Sequence, residues 1–265
     1  MLHKINFQEI ITLAKQAGFQ TLKFYNQTSN FSLKADHSPV TDADIASHNI
    51  IIKGLKKMTP DIPILSEESP ELDIKNRIDW KIFWLVDPLD GTKEFINRKS
   101  EYTINIALIQ NNKPVWGVVY APALDVCYWG GLGVSKKQNS DSPPYIIKIS
   151  NKKKKQRYRV VGSKSHHSKD FSNFVSRLIE PEIVQMGSSL KLCLVADGTA
   201  DIYPRYGLTS EWDTAAAHAI VNGSGGEVVE IDSYTQLKYN KLDSILNPFF
   251  IVGAKNVLED IKKYL

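Results

Sequence analysis

The sequence predicts an α+β fold in two halves, and three observations predict it. Apolar residues recur at helical spacing over 6–26 and again over 45–55. From 82 to 129 the pattern changes to short runs of β-branched and aromatic residues separated by turn signals. From 158 onward, strand-like and helix-like stretches alternate. The chain has 265 residues, 42% of them hydrophobic and 23% charged, which is enough apolar material for a sizeable core. The division expected is an N-terminal α+β part over 1–134, a polar linker over 135–157 and a C-terminal part over 158–265.

In the first half, Phe7, Ile10, Ile11, Ala14 and Ala17 lie on one face of a helix. A short strand is expected over 32–36, then a turn at Ser38-Pro39. Thr41 stands where the N-cap of a second helix belongs. An extended piece over 62–65 leads to Glu67 and Glu68. Strands follow over 82–86, 102–110 and 115–120, the last two joined by a hairpin turn at Asn111-Asn112-Lys113. A further strand over 126–129 closes at Gly130-Gly131. The polar stretch from 134 to 159 contains Pro143-Pro144 and reads as a connection. In the second half, strands are expected over 158–163, 182–186, 200–206 and 227–231. Helices are expected over 168–178, 190–197 and 214–221, with Asp213 at the N-terminus of the last.

The formal charge of +4 is far below that of a dedicated nucleic-acid binder. Cys127 and Cys193 both stand in apolar surroundings, so they are expected as buried, reduced thiols in a cytoplasmic protein. The first residues lack a secretory apolar region, and no apolar run reaches membrane-span length. The run Asn151 to Arg157, with four consecutive lysines, reads as a solvated loop; weak peripheral attachment to an anionic membrane surface is the alternative.

The stretch Trp84-Leu85-Val86-Asp87-Pro88-Leu89-Asp90-Gly91-Thr92 carries the chemistry. Pro88 is expected to stop ladder pairing and Gly91 to allow a sharp turn, which leaves Asp87 and Asp90 just past a strand end. Two carboxylates and the Leu89 carbonyl can then face one point, a ligand set suited to Mg²⁺. A helical turn opening at Thr92 would offer N–H groups to an anion. Taken alone, an Asp-Pro-Leu-Asp segment is an ordinary turn. Glu67 and Glu68 alone would be an acidic surface patch, Asp44 a partner of its own helix dipole, and Asp213 a helix cap worth about 1 kcal/mol.

Together, in this order, these segments resemble the inositol monophosphatase-like superfamily of Mg²⁺-dependent, lithium-sensitive phosphatases. The matching residues are Thr41-Asp42-Ala43-Asp44, Glu67-Glu68, Asp87-Pro88-Leu89-Asp90-Gly91-Thr92 and Trp212-Asp213-Thr214-Ala215-Ala216. Lys93-Glu94-Phe95, Gly187-Ser188-Ser189-Leu190-Lys191, the stretch Ser163 to His166 and Tyr203-Pro204-Arg205 are similar to its bacterial 3'(2'),5'-bisphosphate nucleotidases. The resemblance implies a layered α-β-α-β-α sandwich. It also implies hydrolysis of adenosine 3',5'-bisphosphate to AMP and phosphate, with 3'-phosphoadenylyl sulfate as a further substrate.

Residue by residue, the resemblance puts Glu67, Asp87 and the Leu89 carbonyl on one Mg²⁺, and Asp87, Asp90 and Asp213 on a second. Thr92 would orient the attacking water, Asp44 would support Thr92 or hold a third, weaker metal, and the Gly91 and Thr92 amides would bind phosphate oxygens. Ser188, Lys191, Arg205 and His166 fall at nucleotide-side positions, and each has an ordinary alternative as a solvated or structurally paired side chain. Two further readings are an inositol or sugar phosphatase and a non-catalytic phosphonucleotide or RNA sensor. The expected partner is the small-molecule substrate rather than nucleic acid, with a monomer favoured.

Overall fold

The computed structural model describes residues 5–25, 31–33, 39–69, 76–151, 157–163, 168–241 and 244–265. Its larger sheet is built from β3 (Ile64–Ser66), β4 (Ile82–Asp90), β5 (Thr103–Gln110), β6 (Lys113–Ala121), β7 (Val126–Gly131), β8 (Val134–Asn139) and β9 (Tyr145–Ile147), in that spatial order. All neighbours are antiparallel except β3 and β4. A small ribbon of β1 (Phe31–Leu33) and β2 (Pro39–Thr41) precedes it.

Strands β4 and β5 are apolar on both faces, and alternation sends their side chains to two different cores. Trp84, Val86, Ile104, Ile106 and Leu108 pack against α1 (Phe7–Tyr25) and α2 (Asp42–Met58). Phe83, Leu85, Ala107 and Ile109 face α5 (Leu190–Ala196) and α6 (Glu211–Gly223). Beyond these helices lies the second sheet, ordered β11 (Glu182–Gln185), β10 (Arg159–Gly162), β12 (Ile202–Arg205), β14 (Phe250–Ala254) and β13 (Gly226–Glu230). Its outer face, with Val160, Ile202, Val229 and Ile251, is covered by Phe174 of α4 (Lys169–Ser176) and by Val257, Leu258 and Ile261 of α7 (Lys255–Ile261). The order is therefore helices, sheet, helices, sheet, helices: the α-β-α-β-α sandwich of the sequence analysis.

Helix α6 sits at the centre of this stack and carries Asp213 at its start. It lies close to β6 because residue 117 is glycine; a Cβ there would stand 2.4 Å from the Ala216 carbonyl oxygen. Ser135 of β8 donates to the Ile220 carbonyl at 2.7 Å and pins the far end of the helix. The hairpin turn between β5 and β6 has Asn111 and Asn112 at φ 50° and 62°, the left-handed pair that a tight hairpin needs.

Four expectations require correction. The polar stretch 134–159 is not only a connection, because β8 and β9 extend the larger sheet; their largely polar, only partly buried residues hid the alternation. Strand β4 does not end at Val86 but continues to Asp90. Helix α6 opens at Glu211 with Ser210 as N-cap, so Asp213 is the third helical residue and not the cap. Strand β14 and helix α7 were not anticipated, although the apolar run 249–252 signals the strand. The expected strand over 32–36 is described only to Leu33, and Ser38, the lysines of 152–155 and His166 lie outside the described residues. Cys127 and Cys193 are buried and unpaired, and burial pushes both thiols well up, Cys127 to about 12.

Candidate active site

Pro88 has no N–H to give, and the ladder answers with a bulge. Asp87 pairs with Asn105, the register shifts, and pairing resumes at Asp90 opposite Thr103. The bulged residues are held from both sides. Ser47 of α2 donates to the Pro88 carbonyl at 2.7 Å, and the Leu89 N–H donates to Asp87 Oδ1 at 3.0 Å. The Leu89 side chain is buried with Ala43, Phe95 and Tyr102, the last two in an edge-on ring contact at 5.0 Å. Gly91 follows at φ 93°, a conformation that strains other residues, and starts the short helix α3 (Thr92–Ile96).

Each remaining acid comes from a different element. Glu67 leaves β3, whose parallel register sets Ser66 beside Val86 and so brings Glu67 beside the end of β4; its N–H donates to the Val86 carbonyl at 3.1 Å. Asp44 occupies the third position of α2, where Oδ2 accepts from the Thr41 N–H at 2.8 Å and the Thr41 hydroxyl at 2.5 Å. Its other oxygen accepts from the Thr92 hydroxyl at 3.2 Å, so one residue closes the capping box of α2 and partners Thr92. Thr92 Oγ1 also lies 3.4 Å from the Leu89 carbonyl oxygen. Asp90 Oδ2 accepts from the Ser188 hydroxyl at 2.5 Å and the Ser189 N–H at 2.6 Å. Asp213 Oδ2 accepts from the Ser210 N–H at 2.9 Å, closing a capping box on α6.

The carboxylates feel one another. Asp87 is held well above the usual carboxylate range, first by burial and then by the charges of Glu67, Asp90 and Asp213. Asp213 is pushed up to about 8 by burial and by Asp90, with Glu67 adding and the Ser210 N–H and Arg205 opposing. Asp44 is raised by burial, against its hydrogen bonds to Thr41 and Thr92. Among the described residues, no three such side chains already converge as a closed metal-holding group.

This electrostatic strain has a sign. A carboxyl whose folded pKa is raised keeps its proton longer in the folded than in the unfolded chain, so stability falls as pH rises through the window between the two values. For Asp213 that window runs from 3.8 to about 8, and Asp87 acts in the same direction. Metal-free protein is therefore expected to melt at a higher temperature near about pH 5.5 than near about pH 8.5. Thermal melts in chelator across that range check this; a melting temperature that climbs steadily toward alkaline pH contradicts it.

Beside the acids opens a cavity of about 430 Å³. Asp90, Glu94 and Glu101 are its acidic groups, Lys99, Lys191 and Arg205 its basic ones, and Phe171, Tyr203 and Tyr206 its aromatic walls. A smaller recess of about 80 Å³ shares Asp90, Ser188, Lys191 and Arg205 and reaches Asp213. Lys191 Nζ stands 5.9 Å from the centre of the Tyr203 ring. Arg205 is tied to its own loop, donating to the Gly207 and Leu208 carbonyls at 3.1 and 3.0 Å while still facing the cavity.

The structure thus brings Asp44, Glu67, Asp87, Leu89, Asp90, Gly91, Thr92, Ser188, Lys191, Arg205 and Asp213 into one region; His166 is outside the described residues. Ser188, expected on the nucleotide side, also binds Asp90 directly. Sequence reasoning missed Phe171 and Tyr206, which carry no local signal. It also missed Thr103 and Asn105, whose signal was available: both are polar residues inside the apolar run of β5.

Fold and site define a family. The family model described as the inositol monophosphatase family matches residues 5–260, and the chain belongs to that family. Among curated relatives, the 3'(2'),5'-bisphosphate nucleotidase CysQ of Salmonella typhimurium is 44% identical over 247 residues, 92% of this chain and 98% of the relative. The protein of the same name from Escherichia coli K12 is 43% identical with the same coverage. Among solved structures, CysQ from Bacteroides thetaiotaomicron matches with a TM-score of 0.82 and 37% identity, covering 94% of this chain and 96% of that one. An inositol monophosphatase (IMPase) from Thermotoga maritima, 23% identical, shares the fold with a TM-score of 0.77.

Proposed function

We propose that this chain is a Mg²⁺-dependent 3'(2'),5'-bisphosphate nucleotidase that hydrolyses adenosine 3',5'-bisphosphate to AMP and phosphate, with 3'-phosphoadenylyl sulfate as a second substrate. The observation that carries the reading is the recess that joins two acids, Asp90 and Asp213, to the basic residues Lys191 and Arg205. An inositol monophosphate has no second phosphate for that pair. The names of the curated relatives support the same substrate class.

The acids fit a hard divalent cation. The charges of Glu67 and Asp90 raise both Asp87 and Asp213, a situation that a cation relieves, and the oxygens of these acids are the donor type Mg²⁺ selects. Glu67, Asp87, Asp90, Asp213 and the Leu89 carbonyl would hold the ions, two in this reading. Bound there, Mg²⁺ supplies an activated water and charge stabilisation for the departing ribose oxygen. The chain's own groups do the rest. Thr92 orients the water and passes its proton to Asp44, whose raised pKa suits an acceptor. The Gly91 and Thr92 amides, at the start of α3, hold phosphate oxygens. Lys191 and Arg205 take the 5'-phosphate, and Phe171, Tyr203 and Tyr206 offer apolar surface to the nucleoside.

Lys191→Ala separates these roles. Losing one charged contact of roughly 1.5–3 kcal/mol should raise KM for adenosine 3',5'-bisphosphate by about 10- to 100-fold. Hydrolysis of adenosine 3'-monophosphate, which has no 5'-phosphate, should keep its parent KM. Equal effects on both substrates would remove Lys191 from the 5'-phosphate site.

A further inference from the structure

Behind the acids lies a buried polar network that no catalytic role has absorbed. Thr103 and Asn105 are 0% and 1% exposed, on the same face of β5. The Thr103 hydroxyl lies 2.6 Å from Ser188 Oγ, 2.8 Å from Ser189 Oγ and 3.1 Å from Asn105 Oδ1. Ser189 donates its hydroxyl to Asn105 Oδ1 at 2.9 Å and its N–H to Asp90. Ser188, which also binds Asp90, has the left-handed φ of 54°, a strained backbone for a serine. Asp90 is thus gripped by two residues that are both anchored to β5.

The network ends on an open donor. The Ser189 hydroxyl donates to Asn105 Oδ1, the Thr103 hydroxyl lies within reach of the same oxygen, and among the described residues Asn105 Nδ2 is buried without a hydrogen-bond partner. Buried donors are rarely left so. Asn105 is the register partner of Asp87 across the β4–β5 ladder, and directly opposed residues project from the same face. The donor therefore stands on the face from which the Asp87 carboxylate rises, while the same side chain's oxygen reaches Asp90 through Ser189.

We propose that Asn105 is a positioning residue that ties Asp87 to Asp90: its oxygen is held by Ser189, and its Nδ2 donates to the Asp87 carboxylate when the acids take up a cation. It touches neither substrate nor reacting atoms, and acts by holding two acids at one spacing. The inference rests on the reading of Asp87 and Asp90 as cation ligands. It assigns to β5 a part in catalysis that its apolar pattern conceals.

The test uses the intact chain freed of metal, with Mn²⁺ as a directly observable probe, titrated by electron paramagnetic resonance. Asn105→Leu, close in volume, should weaken Mn²⁺ binding and lower kcat by about 10- to 100-fold, while KM for adenosine 3',5'-bisphosphate stays near that of the parent. A purely structural role would lower the melting temperature and leave Mn²⁺ affinity unchanged, and that result overturns the inference. In the unsubstituted protein, the Asn105 side-chain amide resonance, assigned by through-bond correlation, should move on adding Mg²⁺. If it stays in place while Mg²⁺ binds, the inference fails even where Asn105→Leu does not fold. Should the unsubstituted protein bind no Mn²⁺, the cation reading itself falls and takes this inference with it.

Discussion

Replacing Asp90 by asparagine is expected to lower kcat by roughly a thousandfold or more and to leave the fold in place. The activity loss follows from the proposed role: an acid that holds a catalytic cation accounts for several kcal/mol of transition-state stabilisation. The retained fold follows from the structure. Asparagine keeps an oxygen to accept from the Ser188 hydroxyl and the Ser189 N–H, so both anchors survive. It also removes a negative charge that raises both Asp87 and Asp213. Metal-free Asp90→Asn should therefore melt at or above the parent temperature at neutral pH. Calorimetry in chelator together with steady-state kinetics in Mg²⁺ reads both halves. Near-parental kcat would remove Asp90 from the site, and a large drop in melting temperature would make it a structural residue.

The second large effect lies outside the site. Arg77 is fully buried, donates to Asn240 Oδ1 at 2.6 Å and lowers the pKa of Glu211, whose carboxylate accepts from the Asn240 N–H at 2.8 and 2.9 Å. Burial still pushes Glu211 up to about 7, against the Asn240 N–H first and the charges of Arg77 and Lys241 after it. Arg77→Ala leaves the buried Asn240 amide oxygen without this charged donor and empties a packed site, which together cost about 3–5 kcal/mol. For a chain of this size, that corresponds to a fall of roughly 10 °C in melting temperature. Glu211 is the first residue of α6, so the loss should also loosen the turn that carries Asp213. A melting temperature within about 2 °C of the parent would show that Arg77 is not the brace its burial indicates.

The fold was legible where one physical signal dominated. Helices α1 and α2 showed as periodicity, and the β5–β6 hairpin showed as Asn-Asn between two β-branched runs. Strand β8 was not legible, because its residues are partly exposed and carry lysines; it pairs with β7 through backbone and is fixed by one buried serine. Pro88 misled in a specific way. A proline does remove a ladder donor, but a bulge absorbed the loss and kept Asp87 and Asp90 inside the pairing, opposite Asn105 and Thr103. That difference matters for the site, since it gives each of these acids a partner on β5.

The acids themselves were readable because they recur in recognisable segments. The groups that place them were not. Ser189 reaches Asn105 across 84 positions of chain, and Thr92 reaches Asp44 across 48. Such pairs are created by the stacking of α2, β4, β5 and α5, and nothing local in the sequence encodes them. Phe171 and Tyr206 meet the cavity for the same reason: α4 and β12 bring them there, without a motif of their own.

Phosphate release from adenosine 3',5'-bisphosphate and from inositol 1-phosphate, measured side by side with and without Mg²⁺, tests the central claim most directly. The account predicts rapid release from the nucleotide, little from the inositol phosphate and none from either once Mg²⁺ is chelated. Equal or reversed preference would contradict the assignment of Lys191 and Arg205 to the second phosphate, and silence on both substrates in saturating Mg²⁺ would contradict the reading of the chain as a phosphatase.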